Sequence, residues 1–312
     1  MKRVTLGKTG LQVSPLCIGT WQLAGPVTFD GKPDGHPDPG KSHSLRLIRQ
    51  LFDQGLNFID TAEQYGDGEA ERRTGEALAP DRDQWIISTK FGYRVGPGNT
   101  RIDDSSPRTI MPSLEGSLKR LRTDYLDIFL YHCPPDPRQL PEAFEILEQA
   151  RAAGKIRFCG ISGANLPLIQ ELHQAGLLDV LQFPVSLLNP RPDISEFVAR
   201  IHIGTQLRGI MAQGRLTGKY LHQKPTWHPD DNRVHHVARE DLTRFAILDN
   251  LLPPGTSLAQ AAIQWGLHHP AHHTICLGAK NLTDYQAAIQ SLSRPPLDAE
   301  LIDQLQTAAR SL

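Results

Sequence analysis

Short apolar runs recur along the chain, separated by longer stretches with helical patterning. The runs are "PLCIGT" (15–20), "NFID" (57–60), "WIISTK" (85–90), "LDIFLYH" (126–132), "IRFCGIS" (156–162), "DVLQF" (179–183), "QLRGIM" (206–211) and "HTICLG" (273–278). Most are continuously apolar rather than alternating, which predicts strands buried on both faces of a parallel sheet. Between them, Leu114, Leu118 and Leu121 share one helix face, as do Ala143, Ile146, Leu147 and Ala150. The second of these helices is expected to stop at Gly154, a residue suited to a C-terminal cap. Ser257 and Gln260 have the spacing of a capping box ahead of "LAQAAIQW". Pro112 leaves the start of the third helix open.

Eight strand–helix units in this length predict an α/β fold, a single (β/α)8 TIM barrel over residues 1–312. The alternative is an open doubly wound sheet, but no G-x-G-x-x-G opens the first helix. The opening "RVTLGKTGLQVS" reads as an N-terminal β-hairpin with a glycine turn, placed to cap the closed bottom of the barrel. Two long loops interrupt the repeat, "QLAGPVTFDGKPDGHPDPGKSH" after the first strand and residues from about 212 to 256 after the seventh. Both follow strand C-termini, the face where a barrel builds its site.

Composition narrows the partners. Lys and Arg number 33 against 34 Asp and Glu, so no strong basic field exists to hold nucleic acid or an anionic membrane. A small molecule or another protein is the expected partner, and the oligomeric state is left open. The N-terminus does not read as a secretory signal, and no apolar run reaches membrane-spanning length. Cys17, Cys133, Cys159 and Cys276 are scattered without C-x-x-C spacing, as expected of reduced thiols in a cytoplasmic protein. The histidine run "HHPAHH" (268–273) is read as a solvated loop at the barrel bottom, and no metal is expected.

The candidate chemistry lies at three consecutive strand ends. Asp60 ends the second strand, Lys90 the third and His132 the fourth, with Tyr65 in the loop after the second. In a barrel these ends surround one mouth. A free tyrosine has a pKa of about 10, and an ammonium such as Lys90 stabilises its phenolate and lowers that value. Asp60 can pair with Lys90, and His132 can hydrogen-bond a substrate oxygen. Together they make a proton donor and an oxyanion site for a carbonyl becoming an alcohol.

The stretches "LGKTGLQVSPLCIGTW", "NFIDTAEQYGDGEAERRTGEAL", "ISTKFG", "LKRLRTDYLDIFLYHCP", "AGKIRFCGISG", "LQFPVSLLN", "AQGRLTGKY" and "LGAKN" together resemble the aldo-keto reductase superfamily. The resemblance spans almost the whole chain. It implies a barrel that binds NAD(P)(H) without a Rossmann domain and passes hydride to an aldehyde, ketone or sugar carbonyl. Tyr65 is then the general acid, tuned by Lys90 and Asp60, with His132 polarising the carbonyl. Ser162 and Gln182 match the nicotinamide-carboxamide positions, although Gly163 stands where Asn commonly follows the serine. Arg208 falls where many members put an aromatic against the nicotinamide ring. Gly214, Leu216 and Lys219 match the loop over the pyrophosphate, and Gly278 and Lys280 precede a helix N-terminus suited to phosphate.

Asp284 departs from the pattern, occupying a position where NADP-preferring members often carry Arg or Gln, and Ala288 replaces a common Asn. NADP(H) is favoured, with NAD(H) as the alternative. Trp21, Phe91 and Tyr93 are expected to wall the pocket for a small carbonyl or alcohol substrate. A slow cofactor-sensing regulatory subunit is the second functional reading, since some relatives attach to channels. A metal-dependent barrel hydrolase is the third.

Overall fold

A computed structural model describes residues 1–312. Eight parallel strands close into a barrel: β1 (Leu16–Gly19), β2 (Phe58–Asp60), β3 (Ile86–Phe91), β4 (Leu126–Tyr131), β5 (Ile156–Ser162), β6 (Val180–Pro184), β7 (Gly204–Arg208) and β8 (Thr274–Leu277). Each strand pairs with its neighbours in the chain, and β8 closes onto β1 through Ile275–Leu16, Cys276–Cys17 and Leu277–Ile18. The strands are apolar on both faces because both are buried. Ile128 and Leu130 of β4 face the barrel interior with Phe58 and Val180, while Phe129 and Tyr131 pack beneath the helices with Phe91. Strand β7 ends earlier than the apolar run suggests, because Gly209 turns the chain at φ 72°.

Helices α1 (Lys41–Asp53), α2 (Glu69–Leu78), α3 (Pro107–Leu121), α4 (Leu140–Ala152), α5 (Leu166–Gln174), α6 (Pro192–Ile201), α7 (Leu258–His268) and α8 (Leu282–Ser291) follow the strands, and α9 (Ala299–Arg310) ends the chain. Helix α4 stops just before Gly154, which takes φ 71°. The Ser257–Gln260 capping box opens α7. Helix α3 starts at Pro107 and runs through Pro112, which forgoes one backbone bond inside the helix. No helix is long and apolar enough to cross a membrane.

The N-terminal hairpin, Val4–Thr5 against Gln12–Val13, plugs the bottom. Its Leu6, Leu11 and Val13 join the interior apolar cluster. Its turn approaches so closely that a Cβ on Gly7 would lie 2.3 Å from the Ile203 carbonyl carbon, so the turn is open only to glycine.

The loop after β1 carries secondary structure of its own. It folds a hairpin, Val27–Phe29 against Lys32–Asp34, turned by Asp30 and Gly31 at φ 50° and 76°, a positive-φ pair that suits a two-residue hairpin. A third hairpin, Tyr93–Val95 against Arg101–Asp103, follows β3. The loops after β1 and β7 interlock across the mouth. Asn232 donates its N–H to the Gly35 carbonyl at 3.1 Å, and buried His36 meets Asp231 at 3.4 Å. Arg233 grips that aspartate twice, at 2.8 and 2.7 Å. Gln64 ties the hairpin after β1 to the loop after β2 by donating to Asp34 at 2.6 Å.

Candidate active site

Asp60, Lys90, Tyr65 and His132 meet at the C-terminal mouth. Lys90 is fully buried, and its ammonium donates to Asp60 Oδ2 at 2.6 Å, to the Thr61 carbonyl at 2.8 Å and to the Tyr65 hydroxyl at 3.2 Å. All three donor positions of the ammonium are used, so its Nζ is fixed. Asp60 is held on its other oxygen by Gln182 Nε2 at 2.9 Å, and Gln182 in turn accepts from Ser162 Oγ at 2.7 Å. Gln182 and Ser162 are register partners on β6 and β5. Tyr65 is partly exposed, and its ring meets that of His132 edge-on with centroids 5.7 Å apart. His132 follows β4, fixed by its N–H bond to the Phe91 carbonyl at 2.8 Å. Its buried Nδ1 has no protein partner.

The electrostatics of the cluster follow from this packing. Burial works against the Lys90 ammonium, but Asp60, Tyr65 and Cys276 more than compensate and its pKa rises. Burial pushes the Tyr65 phenol above its usual value; Lys90 pulls it down, and Asp60 pushes it up again. The net direction is the reverse of that expected from Lys90 alone, because burial of the phenol outweighs the lysine charge and Asp60 adds to the upward push. His132 lies well below the ordinary histidine value, through burial first and then the cations Lys90, Arg208 and Arg101. At neutral pH the mouth therefore holds a protonated phenol beside a buried ammonium, with a neutral imidazole facing the phenol ring. Such an arrangement can donate a proton to a substrate oxygen and stabilise the phenolate left behind.

Two of the three expected wall residues lie at the mouth. Trp21 stands 6.1 Å from Tyr65 and 4.9 Å from His36 between ring centroids, and Tyr93 stands 5.0 Å from His132. Phe91 is not a wall residue. It is fully buried and stacks on Phe129 at 4.6 Å, because it follows Lys90 on β3 and successive strand residues face opposite ways. Several residues at the mouth went unanticipated. His36 and Asp231 join the two loops, Cys276 Sγ lies 3.6 Å from Asp60 Oδ2, and Gln22 lies across Gly278, where a Cβ would come within 2.1 Å of its Oε1.

The Aldo/keto reductase family matches this sequence over residues 15–310. The chain belongs to the aldo/keto reductase family. It is 30% identical over 292 residues to the aldo-keto reductase YhdN of Bacillus subtilis, covering 90% of this chain and 85% of that protein. It is 29% identical over 312 residues to the L-glyceraldehyde 3-phosphate reductase of Escherichia coli K12, covering 92% and 86% of the two chains. Its fold superposes on the holo form of an aldo-keto reductase from Bacillus halodurans with a TM-score of 0.84 at 26% identity, covering 100% and 97%. The protein is therefore an oxidoreductase of the nicotinamide-dependent, carbonyl-reducing kind. No cluster of metal-ligating side chains is present.

The other face of this aldo-keto reductase's mouth suits a dinucleotide. A Cβ on Gly163 would meet Ile161 in ordinary contact at 3.5 Å, so no side chain from this position extends beside Ser162. Arg208 ends β7 exposed. Lys280 is partly buried with no ion-pair partner, and burial lowers its pKa. It sits just before α8, whose N-cap Asn281 accepts from the Asp284 N–H at 2.9 Å. An unpaired cation at a helix N-terminus is a setting for phosphate. Lys219 and Asp284 form an ion pair at 2.6 Å, joining the loop after β7 to this helix. Gly214 and Leu216 lie in that loop, with the Leu216 side chain fully buried and its N–H bonded to the Met211 carbonyl.

Proposed function

We propose that this reductase converts an aldehyde, ketone or sugar carbonyl to the alcohol with Tyr65 as the general acid. A bound nicotinamide supplies the hydride. Tyr65 donates its proton to the carbonyl oxygen, and Lys90 stabilises the phenolate that remains. Asp60 anchors Lys90, and neutral His132 orients the carbonyl. In the oxidative direction the Tyr65 phenolate takes the proton. The observation carrying this reading is the Lys90 ammonium held between Asp60 and Tyr65 at 2.6 and 3.2 Å. Trp21 and Tyr93 flank the space in which the substrate would lie.

Ser162 and Gln182 would hold the carboxamide of the cofactor, and Arg208 its ring. Gly214, Leu216, Lys219, Gly278, Lys280 and Asp284 would surround its phosphate and adenosine end. NADP(H) is favoured with NAD(H) accepted, because Lys219 neutralises the acid that would otherwise repel a 2′-phosphate. Fluorescence titration with NADPH and NADH tests this directly, and binding of neither sinks the reading. Asp284→Asn is expected to tighten NADPH severalfold and leave NADH within about twofold, since an exposed charge pair is worth about 0–1 kcal/mol. Equal changes for the two cofactors would remove Asp284 from 2′-phosphate discrimination.

The pH dependence follows from the two perturbed groups. Reduction requires protonated Tyr65, whose pKa is raised, and neutral His132, whose pKa is well lowered. The kcat/KM profile for reduction should therefore show no inflection near the ordinary histidine value of about 6.5 and should decline only above the ordinary tyrosine value of about 10. An acid limb centred near the histidine value would show that His132 titrates as an ordinary imidazole.

A further inference from the structure

Two thiols that neither give nor take the proton in this reaction lie next to each other inside the barrel. Cys17 on β1 and Cys276 on β8 are register partners across the seam where the barrel closes. Alternation along the strands turns both inward. Leu16, Ile18, Ile275 and Leu277 belong to the core under the helices, whereas Cys17 lies in the interior cluster with Phe58, Ile128 and Leu130, and Cys276 packs against that cluster. Neighbouring strands are about 4.7–4.9 Å apart, within the Cα separation of about 4.4–6.8 Å that a disulfide spans.

The two thiols differ in access. Cys17 is buried, accepts from Gln206 Nε2 at 3.2 Å, and has Cys276 as a hydrogen-bonding neighbour. Cys276 is partly exposed, and its thiol lies 3.6 Å from the Asp60 carboxylate that holds Lys90. It therefore opens on the same mouth as the candidate active site.

We propose that Cys276 and Cys17 form a peroxide-sensitive oxidation site, in which Cys276 reacts first and Cys17 resolves it into a disulfide across the β8–β1 seam. The Cys276 thiolate attacks one peroxide oxygen, the O–O bond breaks, and hydroxide leaves with the thiol proton as water. The sulfenic acid so formed is attacked by the Cys17 sulfur. The S–S bond forms, the S–O bond breaks, and a second water leaves with the Cys17 proton. Two thiols are oxidised by two electrons and one peroxide is reduced to two waters. Burial holds the Cys17 thiol protonated at rest, so it releases its proton only as it attacks the sulfenic acid; partial exposure makes Cys276 the first thiol that peroxide meets. Bridging draws the Cys276 thiol away from Asp60. The effect on activity rests on the reading that Asp60 and Lys90 tune Tyr65.

The test uses the full-length protein without added cofactor, treated with hydrogen peroxide, quenched with catalase, alkylated, digested and examined by mass spectrometry. A linked peptide joining Cys17 to Cys276 that dithiothreitol splits is the expected result. Carbonyl reduction is expected to fall about tenfold as the donor set around Tyr65 is disturbed and to return with dithiothreitol. Cys17→Ala should keep its starting activity and form no linked peptide. In that variant, loss of activity becomes irreversible as Cys276 proceeds to the sulfinic acid. Recovery of Cys17 and Cys276 as free thiols, or linkage through Cys133 or Cys159 instead, overturns the site. A Cys17–Cys276 link with unchanged activity overturns its inhibitory effect and the tuning role of Asp60, while leaving the oxidation site intact.

Discussion

Tyr65→Phe should lower carbonyl reduction by about 10²–10⁴-fold, the usual contribution of a positioned general acid, and leave NADPH binding nearly unchanged. The substitution removes one hydroxyl. The ring that remains still packs near Trp21 and edge-on to His132, at 6.1 and 5.7 Å, so the shape of the mouth is kept. Lys90 loses one of three acceptors but retains Asp60 and the Thr61 carbonyl. Steady-state reduction of a small aldehyde, paired with a fluorescence titration of the cofactor, separates chemistry from binding. A variant that reduces substrate at near the parental rate would place the proton donor elsewhere.

Lys90→Met is expected to damage both activity and stability. The lysine is fully buried, and removing it leaves the Asp60 carboxylate in the barrel with Gln182 as its remaining nitrogen donor. Breaking a buried ion pair from one side costs about 3–5 kcal/mol, which a urea titration would read as a lower midpoint. Activity should fall at least as far as in Tyr65→Phe, because the phenolate loses its stabilising cation. Adding Asp60→Asn to Lys90→Met removes the stranded charge, so the double variant should regain much of the lost stability but none of the activity. Parallel recovery of both would mean that Lys90 serves the fold alone.

The architecture was legible because most strands are buried on both faces and so appear as continuous apolar runs. Asp60, Lys90 and His132 were legible as polar interruptions at the ends of such runs. Phe91 was misread although period-two alternation was available: the residue after an inward lysine faces outward. The hairpin at 27–34 carried an Asp-Gly turn signal, but its strands are only three residues long, too short to stand out within a Pro- and Gly-rich stretch. The upward shift of Tyr65 and the pairing of Lys219 with Asp284 depend on tertiary distances. The His36–Asp231 contact likewise joins segments far apart in the chain, with no local pattern marking either as the partner of the other.

The seam between β1 and β8 also constrains how the molecule is made. Strand β1 leaves the ribosome before the other seven barrel strands, and β8 after them. Until Thr274–Leu277 is synthesised, β1 has β2 on one side and an unpaired edge on the other, open to pairing with another nascent chain. The same wait applies to the Asp60 carboxylate, since Gln182 and Cys276 reach it only from later strands. Strand closure and completion of the polar cluster are thus one late event in biogenesis, and chains interrupted before residue 274 would expose both barrel edges.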